Sequence, residues 1–280
     1  MSSTPSPEAA PVNPVNGSVT FIGAGPGAAD LMTVRGTEKL RQAQVVLYDA
    51  LTDPALRNVA PEALWIHVGK RGFADSTGQP AINELLVTHA LRGEIVVRLK
   101  GGDPSVFGRL EEELQALADA GIACEVVPGV TAALAAAADT HRPLTRRGTG
   151  RSVSFSTAFT NAGSTVATRT ADTEVFYMAG KQLAGLSHRL AEAGWPDDAP
   201  VSVVSRAGWP DRLLTEHTAA SVAEAADLHA GRPTIVTVGA GAAPVSGTSS
   251  TDSPVAPSVH LLQDPTSAGH ATARGKPSSS

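Results

Sequence analysis

Short apolar runs alternate with amphipathic segments along most of the chain. The runs are rich in β-branched residues and predict buried strands at 19–22, 45–48, 64–68, 95–99 and 124–127. Between them, apolar residues recur three and four positions apart, which is typical of amphipathic helices. This alternation of strands and helices predicts an N-terminal α/β domain over residues 18–130.

Two of the predicted helices carry clear end signals. Pro80 fits the first turn of one helix, and Gly93 can supply the left-handed residue that ends it. The next helix ends in the same way at Gly121. Its acidic run, Glu111 to Glu113, is typical of a helix face that is turned toward water.

A second set of apolar runs follows the Arg- and Gly-rich stretch 140–151, and we interpret residues 131–150 as a connecting segment. Strands are predicted at 152–157, 174–178, 201–205 and 234–238. A helical stripe of leucines at 183, 186 and 190 lies between the second and third of these strands. The pattern predicts a C-terminal α/β domain over residues 151–242.

The two ends of the chain have a different composition. Residues 1–17 and 243–280 are rich in Pro, Ser, Thr, Ala and Gly and lack apolar periodicity, so we expect disordered tails. The N-terminus has neither the basic start nor the apolar run of a secretory signal, and no stretch reaches the length of a membrane span. We therefore expect a soluble cytoplasmic protein with no membrane partner.

Composition and charge narrow the classes of function. Aromatic residues make up 4% of the chain and the formal net charge is -5, so neither base stacking nor a basic field favours a nucleic-acid partner. The 8 histidines are scattered without metal-ligand spacing, which predicts no metal site. The single cysteine, Cys124, lies in an apolar run and is predicted to be a core residue.

A glycine-rich segment follows the first predicted strand. Gly23, Gly25 and Gly27 would let a ligand approach the backbone closely, because they lack β-carbons. A dinucleotide site is one interpretation, since Asp49 follows a later strand where an acidic ribose ligand could lie. The G-x-G-x-G spacing and Pro26, which has no backbone N–H, weigh against that interpretation. A purely structural turn is the other alternative.

A second motif, VVRLKGGDPSVFGR, covers residues 96–109. A predicted strand runs directly into Gly101-Gly102-Asp103-Pro104. The carboxyl ends of strands are where open α/β sheets bind their ligands. The sequence therefore predicts a ligand site at this loop.

Six motifs together resemble the tetrapyrrole methylase family. They are GAGPG at 23–27, VGKR at 68–71, GGDPSVFGR at 101–109, VVPGVTAA at 126–133, PLTRRG at 143–148 and FYMAG at 176–180. The resemblance implies two α/β domains with the active site in the cleft between them, S-adenosyl-L-methionine as methyl donor, and a homodimer. Within the family it implies methylation of uroporphyrinogen III at C2 and C7 to precorrin-2, feeding siroheme or cobalamin synthesis.

The same resemblance assigns a donor site, residue by residue, through the matching motifs. It implies that the methyl donor is bound by Pro26, Gly101, Gly102, Asp103, Val106, Thr131, Ala132, Met178, Ala207 and Thr234. An ordinary core position is the alternative interpretation of Met178. The glycines would leave room for a folded nucleoside, and Asp103 could bind a polar edge or an ammonium group.

The resemblance also implies residues on the substrate side. Asp49 and Lys70 match positions proposed for acid and base roles, which the reaction needs because the methylated ring must lose a proton. The alternatives are that Asp49 caps the segment after its strand and that Lys70 is a surface charge. Arginines suit the carboxylates of the substrate, and the candidates are Arg71, Arg109, Arg146, Arg147 and Arg151. Ordinary solvated arginines are the alternative.

Three departures from the family pattern concern the substrate. Ala50 stands in YDAL where the family often has arginine, GRLEEE replaces GRGGEE, and Ala158-Phe159 replaces a glycine–histidine pair. They leave the donor motifs intact. The competing functions are another tetrapyrrole or corrin methylase, an rRNA or diphthamide methyltransferase, a nicotinamide oxidoreductase, and a regulatory protein that only binds the nucleoside.

Overall fold

The computed structural model describes residues 17–69, 78–158 and 168–245. Its first sheet has five parallel strands: β1 (Ser18–Gly23), β2 (Val45–Tyr48), β3 (Leu64–His67), β4 (Ile95–Lys100) and β5 (Cys124–Val127). They are arranged in the order β3-β2-β4-β1-β5. All five match the predicted apolar runs.

Helices cover both faces of this sheet. The α-helices of the described chain are α1 (Val34–Arg41), α2 (Gln79–Leu91), α3 (Leu110–Asp119), α4 (Ala132–Asp139) and α5 (Leu183–Glu192). On one face Phe21 of β1 shares a core cluster with Leu86 of α2 and Leu117 of α3. On the other face Ile22 packs in a cluster with Leu40 of α1. Successive residues of a strand point to opposite sides, so β1 serves both cores.

The predicted helix ends are confirmed. α2 has a proline in its first turn, and Gly93 follows its end with φ 84°. Gly121 follows α3 with φ 65°, and Gly194 follows α5 with φ 87°. These left-handed positions stop each helix where the sequence indicated, because glycine adopts positive φ without steric cost.

Two predictions about burial are wrong. Glu113 belongs to the acidic run that was expected to face water, yet it is fully buried, because it bonds to Arg98 and Lys100 of β4. Cys124 was expected in the core but is exposed. It begins β5, which is an edge strand of the sheet, and only Val127 of that strand is buried.

The second sheet is mixed. Its strands are β6 (Val153–Thr157), β7 (Thr173–Tyr177), β8 (Pro200–Ser205), β9 (Leu213–Thr218) and β10 (Thr234–Gly239). The order is β6-β7-β10-β8-β9, in which β6 and β7 are parallel and the other pairs are antiparallel. The sequence did not predict β9, because its residues LLTEHT have no buried apolar face.

Residues 131–150, interpreted as a connecting segment, contain α4. This helix consists largely of alanine, and Ala133 and Ala136 pack in one core cluster with Val175 of β7 and Ile235 of β10. Small side chains let the helix approach the second sheet closely. The division of the chain into domains at 130 and 151 stays a prediction.

Loops from the two halves also contact each other directly. Trp209 Nε1 donates a hydrogen bond to the Pro26 carbonyl over 3.1 Å. The Ala28 amide donates to the Gly208 carbonyl over 2.9 Å. These bonds join the glycine-rich loop after β1 to the loop after β8, and the two loops border a cleft.

Candidate functional site

A cavity of about 250 Å³ lies in this cleft. Its walls come from the loops that follow β1 and β4, from the start of α4, and from the loops and strand ends of the second sheet. It therefore lies at the carboxyl edge of the parallel sheet, where open α/β folds bind ligands.

Every residue of the predicted donor site lines this cavity. They are Pro26, Gly101, Gly102, Asp103, Val106, Thr131, Ala132, Met178, Ala207 and Thr234. The fold thus brings together segments that are far apart in the chain. Their role in binding the donor stays a prediction.

The cavity also includes residues that the sequence did not single out: Leu51, Phe107, Tyr177, Arg206, Trp209, Pro233 and Ile235. Phe107 and Tyr177 lie inside the motifs GGDPSVFGR and FYMAG, so those motifs contained the signal for them. Arg206 and Trp209 reach the cavity only through the way in which the two halves pack. No local pattern indicated them.

The loop after β4 presents its backbone to the cavity. Gly102 has φ 72°, and a β-carbon added there would meet only Thr131 Cα, at 3.9 Å. The Gly102 amide donates to the Gly25 carbonyl over 2.7 Å. On the other side, Asp103 Oδ2 accepts a hydrogen bond of 2.9 Å from the Gly129 amide. The loop is therefore anchored to two neighbouring segments, which fixes the shape of this wall.

Aromatic and apolar side chains also line the cavity. The hydroxyl groups of Tyr177 and Thr131 are hydrogen-bonded at 2.7 Å, and burial raises the pKa of the Tyr177 phenol. The Tyr177 ring packs against Phe107, with 5.0 Å between ring centroids. Met178 has a left-handed backbone (φ 56°) and is 54% exposed, so it is not the core residue that the alternative interpretation required.

The glycine-rich loop serves packing more than ligand approach. A β-carbon on Gly23 would lie 2.5 Å from Gly129 Cα, and one on Gly27 would lie 2.5 Å from the Trp209 ring. The strand order also differs from 3-2-1-4-5, the order of dinucleotide-binding sheets, because β4 lies between β2 and β1. Both findings speak against the dinucleotide interpretation. Of this loop, Pro26 is the residue that reaches the cavity wall.

Asp49 lies at the carboxyl end of β2, beside the cavity. Its Oδ1 accepts a hydrogen bond of 2.8 Å from Arg98 Nη2, and its side chain is 30% exposed. Leu51, two residues further on, lines the cavity. The carboxylate thus forms an ion pair, and the backbone carbonyl of Asp49 is the atom that accepts a bond from Thr52. The capping interpretation of the Asp49 side chain is not supported.

The other predicted substrate-side residues lie apart from the cavity or outside the described chain. Lys70 and Arg71 fall outside the described residues. Arg109 is exposed and forms a bidentate ion pair with Glu112, with both hydrogen bonds at 2.8 Å. It lines a second, open concavity of about 590 Å³, which shares Phe107 with the cavity.

The arginines after α4 differ from one another. Arg146 is half-buried, and its guanidinium donates to the carbonyls of Ala243 and Pro244. Arg147 and Arg151 are exposed. Among the described residues, none of the predicted substrate arginines lines the cavity.

A buried polar chain lies behind Thr234. The Ser205 hydroxyl is hydrogen-bonded to His229 Nδ1 and lies 3.3 Å from the Thr234 hydroxyl. His229 Nε2 is bonded to the Thr215 hydroxyl at 2.9 Å. Burial, with His217 and Arg232 nearby, lowers the pKa of His229 to about 4. His229 is therefore neutral near pH 7 and can only exchange neutral hydrogen bonds with its partners.

The described ranges contain neither a membrane-spanning helix nor a cluster of metal ligands. No helix there is long and apolar enough to cross a membrane. No group of three or more His, Cys, Asp or Glu side chains there is placed to hold a metal ion.

Comparison with known proteins gives the family. The model of the Tetrapyrrole (Corrin/Porphyrin) Methylases matches residues 18–223. The chain belongs to this family and is therefore an S-adenosylmethionine-dependent tetrapyrrole methylase. This result also sets aside the oxidoreductase alternative.

Similar proteins include enzymes of different length. A siroheme synthase of Neisseria meningitidis serogroup B is 42% identical over 234 residues, which cover 81% of this chain and 48% of that protein. The chain thus spans about half the length of the curated relatives it matches. The uroporphyrin-III C-methyltransferase of Thermus thermophilus, solved with S-adenosylhomocysteine, is 33% identical with a TM-score of 0.68, covering 80% of this chain and 97% of that one. A cobalt precorrin-4 methyltransferase is 28% identical with a TM-score of 0.72, covering 81% and 96%.

Proposed function

We propose that this chain methylates uroporphyrinogen III at C2 and C7 to give precorrin-2, with S-adenosylmethionine as donor. The main support is that all residues of the predicted donor site line one cavity. Further support is the likeness to the uroporphyrin-III C-methyltransferase of Thermus thermophilus. The proposal includes a cytoplasmic homodimer whose product feeds siroheme or cobalamin synthesis.

The cavity suits a nucleoside donor in shape and chemistry. Gly101 and Gly102 form a wall without side chains, and the open space at Gly102 admits a ligand against the backbone. Tyr177, Met178 and Ile235 supply apolar surface on the other side. When bound, the donor supplies a methyl group on a sulfonium that needs no further activation.

The work of this chain is then to orient the substrate and to move a proton. Holding the nucleophilic ring carbon in line with the methyl group lowers the barrier through proximity. After methyl transfer the ring must lose a proton, and Asp49 is the carboxylate that we assign to accept it. Its Oδ1 is already bonded to Arg98, and its side chain is 30% exposed, so the carboxylate is not sealed in the core.

The open concavity beside the cavity is where we place the carboxylated substrate. It has about 590 Å³ of space, it includes Arg109, and it meets the donor cavity at Phe107. Arg71, Arg147 and Arg151 are the further arginines that we assign to substrate carboxylates. Arg146 is left out of this assignment because its guanidinium already donates to the carbonyls of Ala243 and Pro244. Lys70 completes the assignment as the acid partner of Asp49.

A second candidate function is methylation of a related corrin, as in the cobalt precorrin-4 methyltransferase. The departures from the family pattern at Ala50 and Ala158 concern the substrate side, and they are the reason for this second candidate. One assay separates the two. The chain is incubated with S-adenosylmethionine and enzymatically generated uroporphyrinogen III, and the product is followed by absorption and mass spectra.

Two added methyl groups and the spectrum of a C2, C7-dimethylated product support the proposal. No methyl transfer to uroporphyrinogen III, together with tight binding of S-adenosylhomocysteine in calorimetry, would favour a corrin as the substrate. Failure to bind S-adenosylhomocysteine would contradict the donor assignment itself.

A further inference from the structure

Four charged side chains, three of them buried, form a network next to the loop after β4. Glu113 of α3 is fully buried, and the Arg98 and Lys100 side chains of β4 are each 4% exposed. Glu113 Oε1 accepts from Arg98 Nε over 2.9 Å, and Glu113 Oε2 accepts from Lys100 Nζ over 2.5 Å. Arg98 then extends to Asp49 of the candidate site.

Arg98 is fixed in place by contacts at every nitrogen of its guanidinium. Nε bonds to Glu113, Nη2 bonds to Asp49 over 2.8 Å, and Nη1 donates to the Leu99 carbonyl over 3.1 Å. A planar guanidinium that is held at three points can present its remaining edge in one direction only. The orientation of Asp49 is therefore tied to a rigid donor.

The charges of the network balance. Two cations, Arg98 and Lys100, meet two anions, Glu113 and Asp49. Burial alone would lower the pKa of Arg98, but Asp49 and Glu113 together raise it, so this guanidinium stays charged. Burial and the neighbouring Arg98 lower the pKa of Lys100 against the pull of Glu113. Arg98 is the permanent cation beside Asp49.

Glu113 also links the network to the cavity wall. Lys100, which it binds, directly precedes Gly101, and a β-carbon on Gly108 would lie 3.1 Å from Lys100 Cε. The buried Glu113 carboxylate thus anchors both Lys100, which precedes the loop, and Arg98, which bonds to Asp49. This explains why the third glutamate of an acidic run is buried.

We propose that Arg98, anchored by Glu113, is a positioning residue that fixes the orientation of the Asp49 carboxylate for the reaction. The inference rests on the proposed role of Asp49 as proton acceptor. Arg98 touches neither donor nor substrate in this assignment, because it is buried behind Asp49. Its effect on the reaction passes through that carboxylate.

The test is a double-mutant cycle on steady-state kinetics with uroporphyrinogen III. Arg98→Lys keeps the charge but cannot bond Glu113 and Asp49 together in the original geometry. We expect kcat to fall about tenfold or more, while the KM for the donor and the affinity for S-adenosylhomocysteine stay unchanged. In an Asp49→Asn chain, the same Arg98→Lys change should alter kcat by less than about twofold, because the residue acts through Asp49.

Arg142→Lys is the matched control. Arg142 is also a buried arginine that is paired with a more exposed carboxylate, that of Glu216, but it lies outside the cavity wall. This variant should keep kcat within about twofold, although it alters a comparable ion pair. Melting curves confirm that each variant is folded.

A second variant covers the case in which Arg98→Lys does not fold. Glu113→Gln keeps the shape and one acceptor oxygen but removes the anchoring charge, and it should lower kcat with the same dependence on Asp49. The inference would be overturned if Arg98→Lys or Glu113→Gln lowered kcat by the same factor with and without the Asp49→Asn substitution. It would also be overturned if Arg98→Lys had a normal kcat while Asp49→Asn was slow. Full activity of Asp49→Asn would instead overturn the proposed role of Asp49, and the inference with it.

Discussion

Gly102 combines a left-handed backbone with open space toward the cavity. An alanine there faces a backbone cost of roughly 1–2 kcal/mol because φ is 72°, and its methyl group would project beside Thr131. If the donor lies against this wall, Gly102→Ala should weaken S-adenosylhomocysteine binding by about tenfold, which is the effect of about 1.4 kcal/mol of steric conflict. Isothermal calorimetry measures the affinity.

Gly121→Ala provides the control for backbone strain. Gly121 has φ 65°, a β-carbon there meets nothing within 4 Å, and the residue lies outside the cavity wall. The two variants should lose similar stability, and only Gly102→Ala should lose affinity. Equal affinity of Gly102→Ala and the unmodified chain would place the donor elsewhere.

His229 predicts a pH-dependent loss of stability. Its pKa is lowered to about 4 in the folded chain, whereas an unfolded histidine titrates near about 6.5. Between these values the unfolded state binds more protons, so the contribution of neutral His229 is complete above about pH 6.5 and is lost as the pH falls. Between about pH 7 and pH 5 the free energy of unfolding should fall by about 2 kcal/mol from this residue.

Urea unfolding at the two pH values measures this effect. His229→Gln keeps a polar group beside Ser205 but has no proton to gain in this range. Between the two pH values, the unfolding free energy of the variant should therefore fall by about 2 kcal/mol less than that of the unmodified protein. Identical pH dependence of the two proteins would show that His229 is not buried in neutral form.

The turn between Arg146 and Gly150 places two adjacent arginines in different surroundings. Arg146 and Gly150 pair by backbone hydrogen bonds. The Arg146 side chain donates to the carbonyls of Ala243 and Pro244, whereas Arg147 is exposed. If Arg147 binds a substrate carboxylate, Arg147→Ala should lower kcat/KM for uroporphyrinogen III about tenfold to a hundredfold, with S-adenosylhomocysteine affinity unchanged.

An exposed arginine on α1, Arg41, gives the comparison for Arg147. Arg41→Ala should change kcat/KM by less than about fivefold, because an ordinary surface charge is worth under about 1 kcal/mol. Equal kinetics of the Arg147→Ala and Arg41→Ala proteins would remove Arg147 from the substrate side.

At the level of elements, local patterns carried most of the prediction. Apolar runs predicted the five parallel strands, and Gly93 and Gly121 predicted helix ends. Both signals depend on neighbouring residues alone. β9 was missed because it is a partly exposed edge strand of the second sheet without an apolar face. Cys124 was misjudged for a related reason, since edge position depends on the whole sheet.

The candidate site was predictable as far as motifs mark it. Gly101 to Asp103 and Met178 lie within motifs and line the cavity. The network of Glu113 and Arg98 was not predictable, because the two residues are 15 positions apart and their pairing depends on how α3 packs against β4. Trp209, 183 residues from its partner Pro26, shows the same limit.

At the scale of the whole molecule, residues 242–244 contact the segment that follows α4. Arg142 Nη1 donates to the Ala242 carbonyl over 2.8 Å, and Arg146 donates to the carbonyls of Ala243 and Pro244. Residues just beyond the predicted domain end at 242 therefore contact the segment after α4. Composition alone could not show this, because the contacts use backbone carbonyls, which every residue has.

These contacts predict where the chain can be shortened. A chain of residues 17–245 should keep the melting temperature and the donor affinity of the full protein, because residues 1–16 and 246–280 have the composition of unpacked chain. A chain that ends at residue 242 should melt roughly 5 °C lower, since Arg146 loses two acceptors at a cost of about 1–3 kcal/mol. Differential scanning calorimetry of the three proteins measures both effects.

The carbonyl of Ala242, which accepts from Arg142, is kept in the chain that ends at residue 242. Arg146→Ala in the 17–245 chain should produce a similar drop in melting temperature, and adding it to the shorter chain should cause little further change, because the two changes remove the same hydrogen bonds. Additive drops would mean that residues 243–245 stabilise the fold through other contacts. A lower melting temperature of the 17–245 chain relative to the full protein would mean that one of the removed tails packs on the folded core.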